Sequence, residues 1–310
     1  MDVYQRIYSH LRRPQDAATF ASLCKATHVI MVCSKQRWAL SVTERACEHG
    51  IFSWIDRHAT KVQALTFKRC VYSPNFRVPS RAPLDTLRFL YCRVFPRTFS
   101  TDLSSLKHLT IHQLMSGEDP GCMTPLINAC PSLQQLSITF ASHWGIASVG
   151  PLLLPNLTDL DLRHPHGTLL YHHGEHACLQ KATLHASELD LPSNQRFPDT
   201  CTSLSIRSID SFLDPNDCVP SSLKTLDIVT KGMVFPALWN HTDALETLIC
   251  QCDSFFLSPL PRALTHFEVD VSLCFVCINM YEDDVAHFQN LPYTRTTERQ
   301  CVVDLLPFLI

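Results

Sequence analysis

The chain has 310 residues, 45% hydrophobic and 18% charged, with a formal net charge of −3. Such a length supports a substantial core, as one extended domain or two compact ones, and the composition is globular rather than disordered. The acidic balance excludes a general nucleic-acid-binding role, which needs a basic field, and no stretch approaches the roughly 18 consecutive apolar residues of a membrane span.

The average conceals a split. Residues 1–70 hold 11 Lys and Arg against 5 Asp and Glu, so a basic head precedes an acidic body. The opening MDVYQRIYSHLRR carries no apolar signal core, and secretion is not expected. Fifteen cysteines, odd in number and scattered in spacing, read as reduced thiols in a cytoplasmic or nuclear protein. In the head, Ile7 and Leu11 fall at helical spacing. Asp16 is a suitable N-cap for 17–26, and a third apolar stretch runs from Val29 to Trp38. Residues 44–58 (ERACEHGIFSWIDRH) form an amphipathic connector whose Phe52, Trp54 and Ile55 pack onto the first of the repeats beyond residue 60.

In DAATFASLCKATHVIMVCSKQRW, Asp16 precedes Leu23, Cys24 and Lys25, and Trp38 lies thirteen residues past Lys25. This order resembles the F-box, on the strength of Ile7, Leu11, Leu23, Cys24, Lys25 and Trp38. The Leu-Pro that opens that pattern is missing, and Thr27 stands in place of its first tryptophan. The resemblance implies docking to an acidic Skp1-type adaptor, and through it to a cullin, which suits a basic head. Without the resemblance, the same helices are a cap for the exposed core edge of a repeat domain.

Beyond residue 60 a short phrase recurs, as PSLQQLSI at 131–138, PNLTDLDL at 155–162, VPSSLKTLDIVT at 219–230 and PRALTHFEV at 261–269. Its second apolar position falls on Leu65, Leu87, Leu109, Leu136, Leu160, Ala182, Leu204, Leu226, Leu248 and Phe267. Six of the nine intervals are 22 residues. Three residues earlier stand mostly leucines, from Val62 to Leu264, and two residues later Phe, Ile, Leu, Cys or Val, from Phe67 to Val269. Alternation along a strand puts Leu226 and Ile228 on one face and Thr225 and Asp227 on the other. One such strand cannot bury its apolar face alone; stacking about ten gives a parallel sheet with a continuous core. Pro131, Pro155, Pro220 and Pro261 suit the turn into each strand. About a dozen residues then remain for each return path, as a short helical turn or an extended segment.

Period and phrase resemble the leucine-rich repeat family, and VPSSLKTLDI and LPRALTHFEV are similar to its short FNIP-type variant. The asparagine usual in that family three residues past the last strand leucine is replaced by Cys70, Cys92, Pro165 and Lys231. The expected fold class is therefore α/β, a leucine-rich-repeat solenoid with a parallel β-sheet on its concave face. Residues 1–40 would be a small helical F-box-like module, 41–60 a connecting helix, 61–278 the solenoid of about ten repeats, and 279–310 a C-terminal cap. In the cap, 282–290 would be helical and VVDLLPFLI would cover the last repeat's edge.

Candidate chemistry is sparse. HPHGTLLYHHGEH at 164–176 offers five histidines without the H-E-x-x-H order that puts two ligands on one helical face. It reads as a solvated return loop. Cys250-x-Cys252 and Cys274-x-x-Cys277 lie one repeat apart, but Cys250 already fills a core position equivalent to Ile228. No metal or cofactor is expected from either. Eight glycines form no G-x-G-x-x-G, P-loop or G-x-S-x-G motif, so no enzymatic activity is expected.

The outward strand positions remain. His112, Arg163, His185 and Arg207 recur at one register position, which makes a basic stripe, with Asp161 among the outward residues two positions earlier and Asp227, Glu268 and Asp270 acidic beyond it. Such a face is either an ordinary solvated one or the contact for an acidic or phosphorylated segment of a partner. Together these readings predict a protein-interaction adaptor. The F-box resemblance implies the substrate-recognition subunit of an SCF-type ubiquitin ligase; the alternative is a stand-alone repeat scaffold with no ubiquitin role. The protein substrate is not legible.

Overall fold

A computed structural model of the chain describes residues 38–43, 59–69, 83–92, 103–114, 123–141, 145–172, 174, 176–191, 197–208, 219–230, 233–234, 243–257, 261, 263–278 and 303–304. Most of the expected F-box-like module, with Ile7, Leu11, Leu23, Cys24 and Lys25, lies outside the described residues. So do 44–58 of the connecting helix and all of the C-terminal cap except Val303–Asp304. The chain divides into two compact units, Met1–Glu118 with Ala129–Leu133, and Asp119–Asn128 with Gln134–Ile310.

The first unit holds four parallel strands, β1 (Trp38–Thr43), β2 (Val62–Lys68), β3 (Thr86–Leu90) and β4 (His108–Leu114), in sequence order. Leu65, Leu87 and Leu109 are register partners, as are Phe67, Phe89 and Ile111, and all six are buried. A constant period of 22 keeps each leucine beside the next, so one apolar set stays inward in every rung. The Phe67 and Phe89 rings stack with centroids 5.4 Å apart. At the strand exits Arg69 (φ 54°) and Tyr91 (φ 57°) take the left-handed conformation, which is uncommon outside glycine and turns the chain out of the sheet. Their N–H groups still bond to Leu90 O and His112 O in the next strand, both at 2.9 Å. One residue further, the Cys92 thiol bonds back to Leu90 O at 3.4 Å.

Strand β1 was not expected. Leu40 pairs with Leu65 and Val42 with Phe67, so the ladder starts one strand ahead of the first periodic phrase, where a helical module was expected to give way to a connecting helix. The phrase is irregular there: counting back from Leu40 puts Arg37 at the leading position, and a register shift brings Trp38 opposite Val62 instead.

The second unit opens with a six-residue helix α1 (Met123–Asn128). Its strands are β5 (Gln135–Phe140), β6 (Ile146–Val149), β7 (Asp159–Tyr171), β8 (Lys181–Asp190), β9 (Ser203–Ser208), β10 (Thr225–Thr230), β11 (Met233–Val234), β12 (Thr247–Leu257), β13 (His266–Ile278) and β14 (Val303–Asp304). The main ladder runs β5-β7-β8-β9-β10-β12-β13, all parallel, seven strands enclosing six turns. Its buried column is Leu136, Leu160, Ala182, Leu204, Leu226, Leu248 and Phe267.

Among the described residues five rungs of this unit are closed in the same way. A turn bonds Leu157 N to Leu154 O, Leu179 N to His176 O, Cys201 N to Pro198 O, Leu223 N to Pro220 O and Leu264 N to Pro261 O. Proline occupies the first or second residue of four of these turns, as at Pro155, Pro198, Pro220 and Pro261, where a fixed φ and a missing N–H cost nothing. The carbonyl before each strand then accepts two N–H groups from the next rung, as Thr202 O does from Lys224 and Thr225. Hydroxyls reinforce this seam: Thr158 bonds to Gln134 O, and Thr265 to Glu246 O, both at 3.0 Å. Backbone groups in the turns are thereby satisfied without a helix.

The return paths are the second departure. Strands β7, β8, β12 and β13 do not stop after five residues; they cross a register shift and continue into a second parallel ladder. There β6 pairs with 168–171 of β7, which pairs with the end of β8, and β11 pairs with 254–255 of β12, which pairs with β13 and then β14. The described architecture is thus a parallel β-solenoid with turns of about 22 residues, in which the described return segments of the second unit are mostly extended. Helix α1 is the exception, tied down where Asn128 bonds to Pro151 O and Leu153 N, and Thr124 accepts from Gly150 N. No helix among the described residues is long and apolar enough to cross a membrane.

Candidate functional site

A β7 strand that buries Leu160 and Leu162 presents Asp161 and Arg163 on the opposite face, because side chains alternate. Register then decides which side chains meet. Arg163 pairs with His185, His185 with Arg207, and Arg207 with Val229, so the first three form one row across β7, β8 and β9. The adjoining row is Asp161, Thr183, Ser205 and Asp227. With adjacent strands about 4.8 Å apart, Arg163 and Arg207 stand about 10 Å apart at their Cα atoms, with His185 midway.

Both arginines are held from below. Arg163 donates from Nε to Asp161 Oδ1 at 2.8 Å, within its own strand, and Ser137 Oγ donates to Asp161 Oδ2 at 3.3 Å. Arg207 donates from Nη2 to Asp227 Oδ2 at 3.0 Å, across to the next strand, and Ser205 Oγ donates to the same oxygen at 3.0 Å. The arrangement occurs twice: a serine, an aspartate and an arginine, with the aspartate one main-ladder strand beyond the serine. Both guanidinium groups remain about half exposed. Arg163 is shifted further toward its charged form, chiefly by the bond to Asp161. His185 is shifted the other way. Burial lowers its pKa first, then the positive charges of Arg163 and Arg207, against a smaller opposing pull from Asp161.

Five of the six residues expected on the partner-binding face, Asp161, Arg163, His185, Arg207 and Asp227, therefore share one surface of the second unit. His112 does not. It belongs to β4 in the first unit, pairs with Leu90 and meets the Tyr91 ring edge-on at 5.2 Å. In the register, Thr139 of β5 precedes Arg163. Asp227, expected among acids beyond the stripe, is instead an anchor for Arg207. Ser137 and Ser205 were missed, although their recurrence one rung ahead of each aspartate is visible in the sequence. Of the adaptor-binding residues only Trp38 is described, as the first residue of β1.

The first part of the histidine-rich segment, 164–171, is strand rather than loop. Residues 159–171 are one strand, and His164 sits wholly buried with its ring 5.7 Å from that of Phe140. It faces inward because it continues the alternation of Leu160 and Leu162. His176 is buried in the turn before β8, while His166 and His172 are exposed; burial separates this set by environment. Among the described residues no group of three His, Cys, Asp or Glu side chains is placed to hold a metal ion. Cys250 and Cys252 lie on the inward face of β12, their sulfurs 3.5 Å apart. The Cys250 thiol is raised well above its usual range, first by that hydrogen bond and then by burial. Burial likewise pushes the Cys201 thiol up to about 11 and that of Cys130 up to about 12. These cysteines are core side chains held in the thiol form.

No protein-family model matches the sequence, and a comparison with curated proteins gives no significant relative.

Proposed function

We propose that this chain is a non-catalytic receptor, in which the outward face of the repeat sheet holds a protein partner and the N-terminal segment docks a Skp1-type adaptor of an SCF-type ubiquitin ligase. The observation that carries the receptor half is the division of labour on each rung. Inward residues supply the core, and outward ones such as Asp161, Arg163 and His185 are left free of that duty. Asp161 and Arg163 are held by hydrogen bonds on the outward face rather than by the core, so this face is available for recognition. The adaptor half rests on Ile7, Leu11, Leu23, Cys24, Lys25 and Trp38 in their F-box-like order and on the basic charge of the head. The mechanism on this side is proximity: substrate and transferring enzyme are held on one assembly, which raises their effective concentration.

One observation favours the stand-alone scaffold. Trp38, counted toward the F-box-like pattern, opens a strand that hydrogen-bonds into the solenoid, so the end of that pattern is shared with the repeat sheet. Capture of purified Skp1-type adaptor by the full chain, beside a Leu23→Asp variant, separates the two. The ligase reading expects retention by the parent and loss in the variant, with an unchanged β-sheet circular dichroism spectrum. Absence of retention by the parent leaves the scaffold.

A further inference from the structure

We propose that Arg163, His185 and Arg207 form the anchor for a single phosphoryl group carried on a serine or threonine of the protein partner. The partner itself rests on the receptor reading; the anchor rests on the geometry of three adjacent strands.

Donors outnumber acceptors in this row. A guanidinium carries five N–H groups. Arg163 commits its Nε–H to Asp161, and Arg207 one Nη2–H to Asp227. The remaining four of each reach no acceptor among the described residues, and both groups stay about half exposed. Between them lies His185, in register with both. The charged and titratable groups that face it are Arg163, Arg207, Asp161 and His166. The acceptors at hand, Asp161 and Asp227, sit in the neighbouring row, and each already takes one serine and one arginine. Asp161 does so through both oxygens and Asp227 through Oδ2, while the buried Oδ1 of Asp227 has no hydrogen-bond partner among the described residues. An incoming anion would meet unspent N–H groups from both flanks.

The span selects the ligand. A carboxylate offers two coplanar oxygens and is satisfied by one guanidinium fork. Two forks about 10 Å apart at Cα, with an imidazole between, call for an acceptor whose oxygens point in several directions. A phosphoserine or phosphothreonine group supplies three such oxygens and a charge near −1.5 to −2. The aspartates beneath fix the forks ahead of binding, so less side-chain freedom is lost on docking. A dianion beside His185 also opposes the arginine charges that, after burial, lower its pKa, and so favours the protonated ring, in which both nitrogens donate.

The test uses the full chain and N-acetylphosphoserine methylamide as probe, followed through the histidine side-chain resonances in nitrogen-15 NMR. The expected result is a saturable shift of His185, with His112 unmoved. Affinity falls at least about tenfold in Arg163→Gln and in Arg207→Gln, each of which removes charge-assisted bonds to the anion. Arg163→Lys with Arg207→Lys keeps the charge and loses the forks, and is expected to weaken binding as well. Both positions changed are half-exposed, and an unchanged circular dichroism spectrum certifies the fold. Equal shifts with the N-acetylglutamate analogue or with inorganic sulfate mean an adventitious ion only, and overturn the proposal. So does unchanged affinity in the glutamine variants. Failure here with adaptor capture intact removes the phosphoryl anchor and leaves the receptor; loss of adaptor capture with phosphoserine binding intact removes the ligase and leaves the anchor.

Discussion

His176 accepts the Leu179 N–H on its carbonyl at 3.2 Å, closing the turn into β8, and its imidazole is buried beneath that turn. Burial lowers its pKa below the ordinary 6.5, with the bond to the Leu154 backbone pulling the other way. The folded state thus disfavours the charged ring relative to the unfolded chain. Stability from this group is complete above pH 6.5 and is lost as pH falls from there through the lower folded-state value. The same sign holds for the half-buried His185, through burial and its two arginine neighbours. Urea midpoints measured at about pH 7.5 and about pH 5.5 should therefore differ, the lower pH being less stable. In His176→Leu the difference should shrink without vanishing, because His185 still contributes. An unchanged difference would assign the acid sensitivity to other groups.

At the scale of one strand, β10 separates what holds the fold from what decorates it. Leu226 and Ile228 are fully buried, between Leu204 and Leu248 and between Ile206 and Cys250. Leu226→Ala leaves a cavity that rungs on both sides prevent from collapsing, at a cost of about 2–5 kcal/mol. Thr225→Ala, on the outward face of the same strand, should change stability by less than about 0.5 kcal/mol. Urea denaturation of the pair checks both, and similar losses would mean that this face is packed. The contrast was legible in the sequence because period-two alternation and a 22-residue repeat act on the same letters. The second ladder was not. A strand that rounds a corner, as β7 does at 164–168, changes the phase of its alternation there, from 160, 162 and 164 inward to 169 and 171. The inward row at the corner fills with mixed residues: Phe140, His164, Ala186, Ser208, Thr230 and Cys252. Histidine at such a position reads as polar loop, although it is core. The site was half legible for a similar reason. Register alone aligned Arg163, His185 and Arg207, whereas the bonds of Asp161 and Asp227 depend on side-chain reach along and across strands.

For the second unit as a whole, a constant turn length means that each rung needs only its neighbours. Residues 203–224 make up one complete rung of 22 residues, from the first residue of β9 to the residue before β10. Deleting them joins Thr202 to Thr225. Gln180 O, which now accepts from Thr202 N and Ser203 N, would accept from Thr202 N and Thr225 N instead. Leu226 would take the place of Leu204 beside Ala182, Ile228 that of Ile206 beside Leu184, and Thr230 that of Ser208 beside Ala186. Each of these inward strand residues is replaced by one of like size, so the shortened chain should remain folded, with its β-sheet circular dichroism signal and cooperative unfolding retained. Deleting only 203–213 removes half a turn and puts no apolar set beside Ala182 and Leu184; that chain should lose cooperative unfolding. The longer deletion also removes Arg207 while leaving Arg163 and His185 in place, so it should fold and yet bind phosphoserine at least about tenfold more weakly. A longer deletion that unfolds would show that the rungs are not interchangeable. One that folds and binds as before would show that the anchor lies elsewhere on the sheet.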